Sequence, residues 1–99
     1  MVVIREVMFC KPGKVRPMVD KFKAMSALMQ KKGGAKMRVM TDLAADHYWT
    51  VIAEYEMPSL AEFEKMMSDQ PSMKEFGPIM EGYHDLIDHG RREIYTLES

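Results

Sequence analysis

The sequence predicts an α+β fold whose elements follow one another as β-α-β-β-α-β. Three observations predict it. Four stretches rich in β-branched and aromatic residues are bordered by Pro, Gly or Asp turn signals. Two other stretches carry apolar residues at steps of three and four, the mark of an amphipathic helix. At 99 residues the chain has room for one domain around one core, so residues 1–99 are expected to form a single domain.

Val2–Cys10 reads as the first strand, stopped by Lys11-Pro12-Gly13. Its two faces, Val3, Val7 and Phe9 on one side and Val2, Ile4, Met8 and Cys10 on the other, are both apolar; only Arg5 and Glu6 interrupt the run. Lys14–Lys32 reads as a helix with Val15, Met18, Val19, Phe22, Met25, Leu28 and Met29 in one stripe. Pro17 falls in its first turn, Lys31 and Lys32 suit the negative end of the dipole, and Gly33-Gly34 stops it. Lys36–Leu43 is expected as an edge strand and His47–Glu56 as a central one. Ser59 and Glu62 match a capping box opening a second helix, whose stripe is Leu60, Phe63, Met66 and Met67. Pro71 and Gly77-Pro78 should break the stretch after that helix into two or three short helical pieces. After a turn at His89-Gly90, Arg91–Glu98 reads as the last strand.

With right-handed crossovers this order gives the ferredoxin-like arrangement: a four-stranded antiparallel sheet, both helical regions on one face, the first and third strands central. Helices cover only one face of such a sheet, yet the central strands read as apolar on both. The expectation is therefore that a second copy of the chain covers the outer face, giving a homodimer.

Composition narrows the function. Cys10 is the only cysteine, so neither an intrachain disulfide nor a multi-cysteine metal site can form. One thiol and no signal-like N-terminus point to a cytoplasmic setting, and no apolar run is long enough to span a bilayer. The charges from Lys11 to Arg38 are basic except Asp20, and those from Asp42 to Asp88 acidic except Lys65 and Lys74. A basic helix beside an acidic one accounts for this. The basic segment has only Phe22 as an aromatic, so nucleic acid is not an expected partner.

The opening Val2-Val3-Ile4-Arg5-Glu6-Val7-Met8-Phe9, the segment Leu60-Ala61-Glu62-Phe63-Glu64-Lys65-Met66-Met67-Ser68, Met73-Lys74-Glu75-Phe76 and the closing Gly90-Arg91-Arg92-Glu93-Ile94-Tyr95 together resemble the dimeric α+β barrel superfamily. They look most like its NIPSNAP-like and antibiotic-biosynthesis-monooxygenase-like branches. The resemblance implies a small-molecule-binding protein. One activity it implies is cofactor-free monooxygenation of a small aromatic or polyketide-like substrate; the alternative is a non-catalytic ligand-binding or accessory dimer. The haem-degrading branch relies on an Asn, a Trp and a His. This chain offers Trp49 and His84 but has no Asn, which argues against that activity.

Several residues could carry chemistry. Trp49, on a central strand, either fills the core or forms a flat wall for a planar ligand. Phe22, Phe63, Tyr83 and methionines would line a cavity between helices and sheet, opened by the breaks at Pro71 and Gly77-Pro78. Arg5 and Glu6 either pair with Arg91, Arg92 or Glu93 of the adjacent last strand, or Arg5 stabilises developing negative charge at the cavity rim. His84 is the candidate general base, since imidazole titrates near neutral pH. His47 and His89 are expected at the surface. No zinc spacing occurs, and ligand sets for haem, flavin or a stoichiometric metal are missing, so no cofactor is expected. The twelve methionines form either a soft core or a deformable apolar pocket. Convergence of Arg5, Trp49, Tyr83 and His84 on one cavity would separate an enzyme from a binding module.

Overall fold

The computed structural model describes residues 1–99, the side chain of Ser72 excepted. Strand β1 (Val2–Cys10) is followed by helix α1 (Val15–Lys31), β2 (Arg38–Thr41), β3 (Thr50–Met57), α2 (Leu60–Ser68), α3 (Gln70–Met80), a 3-10 turn at Tyr83–Asp85 and β4 (Ile87–Thr96). The four strands form one sheet in the order β2-β3-β1-β4, antiparallel at every pairing. This is the expected ferredoxin-like topology, with β1 and β3 central. Among the described residues no helix is long and apolar enough to cross a membrane.

The core lies between helices and sheet. Ile4 and Cys10 from β1 and Val51, Ala53 and Tyr55 from β3 meet Met18, Val19, Phe22 and Met29 of α1 and Phe63 and Phe76 of α2 and α3. Helix α1 ends in a Schellman motif. Gly34 donates its N–H to the Met29 carbonyl at 2.8 Å and Gly33 to that of Gln30 at 3.0 Å, with Gly33 at φ +82°. Helix α2 opens on Ser59, whose hydroxyl accepts from the Glu62 N–H at 3.2 Å. Asp69, in extended conformation, separates α2 from α3, and Pro71 in the first turn of α3 sacrifices no helical hydrogen bond. Helix α3 continues through Gly77-Pro78 and stops at Met80, two residues later than the expected break. The basic and acidic helices do meet: Lys32 pairs with Glu75 at 3.0 Å, and Lys21 donates to the carbonyls of Ile79 and Glu81 at the end of α3.

Three strands start elsewhere than expected, and the second and last also end two residues early, at Thr41 and Thr96. The second strand begins at Arg38 because the Met37 N–H donates to the Ser26 hydroxyl of α1 instead of joining the sheet. The third strand begins at Thr50, not His47. The Asp42 carboxylate takes the Thr50 N–H at 2.8 Å, which closes the ladder, and Trp49 turns into the left-handed region at φ +61°. The last strand starts early, at Ile87, so Gly90 lies within it and not in a turn. A Cβ at Gly90 would stand 2.9 Å from Met8 Sδ and 3.0 Å from the Val7 carbonyl oxygen, so glycine serves close strand approach there.

The outer face of the sheet is also less apolar than expected. On β3 it presents Thr50, Ile52, Glu54 and Glu56, because Tyr48 and Trp49 have left the strand. Phe9 is buried there by the chain itself, flanked by the rings of His47 at 4.5 Å and His89 at 4.7 Å, with the Arg91 guanidinium 5.2 Å away.

Candidate functional site

Alternation along the strands sends Glu6 and Met8 of β1, Tyr55 of β3 and Arg92 of β4 toward the helices. Opposite them stand Phe22, Met25 and Met29 of α1, Met66 and Met67 of α2, and Met73, Phe76, Gly77 and Met80 of α3, with Tyr83 just beyond. Together with Met37 these residues enclose a cavity of about 260 Å³. Of the twelve methionines, all but Met1, Met18, Met40 and Met57 line it. The concentration favours a deformable pocket over a core merely rich in methionine, since thioether chains repack at little cost. A second, shallower cleft of about 660 Å³ runs beneath α2 and shares Met29, Met66 and Phe76 with the cavity.

The polar end of the cavity is built from three residues. Arg92 Nε donates to Glu6 Oε1, across a directly paired position of β4 and β1. The Arg92 guanidinium also lies 5.2 Å from the centre of the Phe63 ring. Tyr55 is 6% exposed, and burial, followed by the nearby Glu6 carboxylate, pushes its phenol above the ordinary value, with Arg92 pulling the other way. Tyr55 therefore remains a neutral hydrogen-bond donor at physiological pH. Beyond the Glu6–Arg92 pair lies a surface depression that it shares with Tyr83 and that adds His84, His89 and Arg91.

The expected site residues do not converge. Phe22 and Tyr83 line the cavity. Phe63 is buried in the core and reaches the site through Arg92 over its ring. The His84 ring lies 4.0 Å from that of Tyr83, but His84 borders the outer depression and not the cavity. Trp49 stands outside altogether: it is 45% exposed and borders a surface dent with Val15, Thr41, Asp42 and Tyr48.

Arg5 points to the opposite face of the sheet, because it is the neighbour of Glu6 on a strand. There it donates through Nε and Nη2 to Glu54 Oε1, at 3.1 and 2.7 Å, while Arg38 takes Glu54 Oε2. Arg5 also lies 3.7 Å from Glu93, which Arg91 and the Tyr95 hydroxyl hold in turn. The Arg5 hydrogen bond keeps the Glu54 carboxyl below its ordinary value; burial opposes it, and Arg38 adds to it. The expected pairing of Arg5 with the last strand is thus present through Glu93, with Glu54 as the closer partner. Cys10 is buried, and burial raises its thiol above the ordinary value, which suits a packing residue and not a nucleophile. Among the described residues no three His, Cys, Asp or Glu side chains come together as a metal site.

Sequence reasoning missed Tyr55 as a cavity residue. It also treated Glu6 and Arg92 as part of one ionic group with Arg5. The signal that separates them is parity: Glu6 shares a strand face with Ile4 and Met8, and Arg5 shares the other with Val3 and Val7.

No protein-family model matches the sequence, and no curated protein does either. Solved structures do. The fold is similar to that of a candidate antibiotic biosynthesis monooxygenase from Deinococcus radiodurans, with a TM-score of 0.73 at 9% identity over 100% of this chain and 94% of that one. It is similar to an uncharacterized NIPSNAP domain protein from Burkholderia xenovorans, with a TM-score of 0.66 at 18% identity over 100% and 96%. A NIPSNAP family protein from Agrobacterium tumefaciens gives 0.66 at 16% identity over 96% and 90%. The chain thus has the ferredoxin-like α+β fold of these proteins, as the sequence pattern implied.

Proposed function

We propose that the protein binds a small, largely apolar or aromatic molecule in the cavity between helices and sheet. One observation carries this reading: most of the chain's methionines are gathered around a single partly open cavity with a small polar cluster at one end. Such a concave, mainly apolar site with a few placed polar groups is what small-molecule recognition needs. The lone thiol and the composition support a cytoplasmic setting for it. We further propose that the functional unit is a homodimer joined through the outer sheet face, where Met40 and Tyr95 remain 40% and 49% exposed beside Ile52 and Val3.

The binding reading is tested with the neutral fluorescent probe N-phenyl-1-naphthylamine. Saturable binding at one probe per chain is expected. Met73→Trp, which fills the cavity from α3, should abolish it while leaving the far-UV spectrum unchanged. No saturable binding, or binding indifferent to Met73→Trp, overturns the reading.

A second reading, cofactor-free oxygenation of a small aromatic or polyketide-like substrate, draws support from the description of the Deinococcus radiodurans protein of like fold. In this reading His84 is the base, acting from the outer depression. Arg5, on the opposite face of the sheet, has no route to a substrate in the cavity. Oxygen uptake with hydroquinones that is lost in His84→Ala would establish it, and binding without uptake would leave the accessory role.

A further inference from the structure

The Tyr55 hydroxyl is a polar group without a protein partner in a mainly apolar site. Tyr55 is more than nine-tenths buried and lines the cavity, yet none of the described residues makes a hydrogen bond to its hydroxyl. Among the described residues no fully enclosed side-chain nitrogen or oxygen lacks a partner, so the Tyr55 oxygen is accessible; Tyr55 lines both the cavity and a cleft beside Arg38 and Glu54, and the nearness of Glu6 and Arg92 to its phenol favours the cavity side. Polar groups at such depth are nearly always satisfied. Beside it, Arg92 commits Nε to Glu6, and none of the described residues accepts from its two terminal nitrogens.

The charge of the site then limits what can complete it. Glu6 and Arg92 cancel each other. A carboxylate ligand would add a second negative charge next to Glu6, and an ammonium a second positive one next to Arg92, and either meets like-charge repulsion as well as attraction. A neutral molecule meets neither penalty. Both free groups, the Tyr55 O–H and the Arg92 N–H, are donors, so the matching ligand atom is an acceptor.

We propose that the cavity selects a neutral molecule with an apolar body and one carbonyl oxygen (a ketone or lactone) that accepts hydrogen bonds from Tyr55 and Arg92. This rests on the binding reading above and specifies the ligand class. Tyr55 and Arg92 are binding residues in it, and Glu6 positions Arg92.

Three probes with one bicyclic body test it by calorimetry on the full chain: naphthalene, α-tetralone and 1-naphthoate. The expected result is α-tetralone bound about tenfold more tightly than either of the others, which corresponds to about 1.4 kcal/mol. Tyr55→Phe removes only the hydroxyl. It should bring α-tetralone to within about twofold of naphthalene and leave naphthalene unchanged. Should Tyr55→Phe lose its fold by far-UV dichroism, the ranking on the unaltered chain decides alone. Equal binding of naphthalene and α-tetralone overturns the carbonyl assignment while leaving cavity binding intact. So does tighter binding of 1-naphthoate, or a Tyr55→Phe chain that keeps the preference. Failure of all three probes to bind removes both the assignment and the binding reading.

Discussion

Replacing Arg5 by Met should destabilise the protein more than replacing Arg38 by Met, although both arginines hold the same carboxylate. Glu54 has a side chain only 7% exposed, and Arg5 supplies two hydrogen bonds to one of its oxygens. Arg38 serves the other oxygen from the edge strand, with its own side chain 66% exposed. A hydrogen bond to a charged group contributes about 1.5–3 kcal/mol. The Arg5 side chain is itself 36% exposed, so solvent screening lowers its combined effect to about 2 kcal/mol. Arg38→Met lies in the range of exposed ion pairs, under about 1 kcal/mol. Urea unfolding of the three chains at pH 7 and one protein concentration measures the difference; fixing the concentration removes any contribution from subunit association. In a domain of this size the Arg5 loss corresponds to a fall in Tm of roughly 8–16 °C. The pH dependence tracks the same carboxylate. Glu54 is held below its ordinary value of 4.5, so its contribution is present above that pH and is lost as pH falls through the depressed value. Arg5→Met should therefore flatten the acid limb of stability below about pH 5. An Arg38→Met chain as unstable as Arg5→Met, or an unchanged acid limb, would refute the assignment of Glu54 as the buried anion of this face.

Three further outcomes are expected. Gly90→Ala places a Cβ against the backbone oxygen of Val7, and should cost about 1–3 kcal/mol in urea unfolding; a neutral substitution would mean that β1 and β4 can separate locally. Ser59→Ala removes the hydroxyl that accepts from Glu62, and should lower stability by about 1 kcal/mol, with Ser59→Asp restoring most of it. Ile52→Lys puts a charge at the centre of the outer face beside Val7 and Met40, and should shift light scattering at micromolar concentration from dimer to monomer; a natural chain that is already monomeric would sink the dimer proposal.

Much of the fold was legible because periodicity and punctuation agree along the chain. The Gly33-Gly34 stop, the Ser59 cap and the interruption before Pro71 each act through local backbone chemistry, and local chemistry is what a sequence displays. The strand ends were not legible, since they depend on partners distant in the chain. Met37 leaves the sheet for Ser26 of α1, and Thr50 finds the side chain of Asp42 where a backbone carbonyl would have extended the ladder. Trp49 shows the same limit. Its type argues for a central strand, but the turn that Asp42 and Thr50 impose carries it to positive φ and into solvent.

The site was partly legible, and the misplacing of Arg5 has a physical source of its own. Arg5 and Glu6 adjoin in sequence and look like one interruption of an apolar strand. Adjacent strand residues face opposite ways, so they belong to different structures. Arg5 joins Glu54 and Glu93 on the outer face, and Glu6 joins Arg92 beneath the helices. A charge on the helix-covered face of a central strand is costly unless it is paired, and the natural source of a partner is the residue paired across from it. Register supplies that residue as Arg92 on one side and Ala53 on the other. Two residues beyond Ala53 on the same face stands Tyr55. The helical cover above these three is made of short pieces, separated at Asp69 and ended at Met80. Short pieces lined with methionine leave room where a continuous helix would have packed the sheet. The cavity and its polar end therefore have a common origin: a paired charge placed on the inner face of the sheet, under the part of the cover least able to close over it.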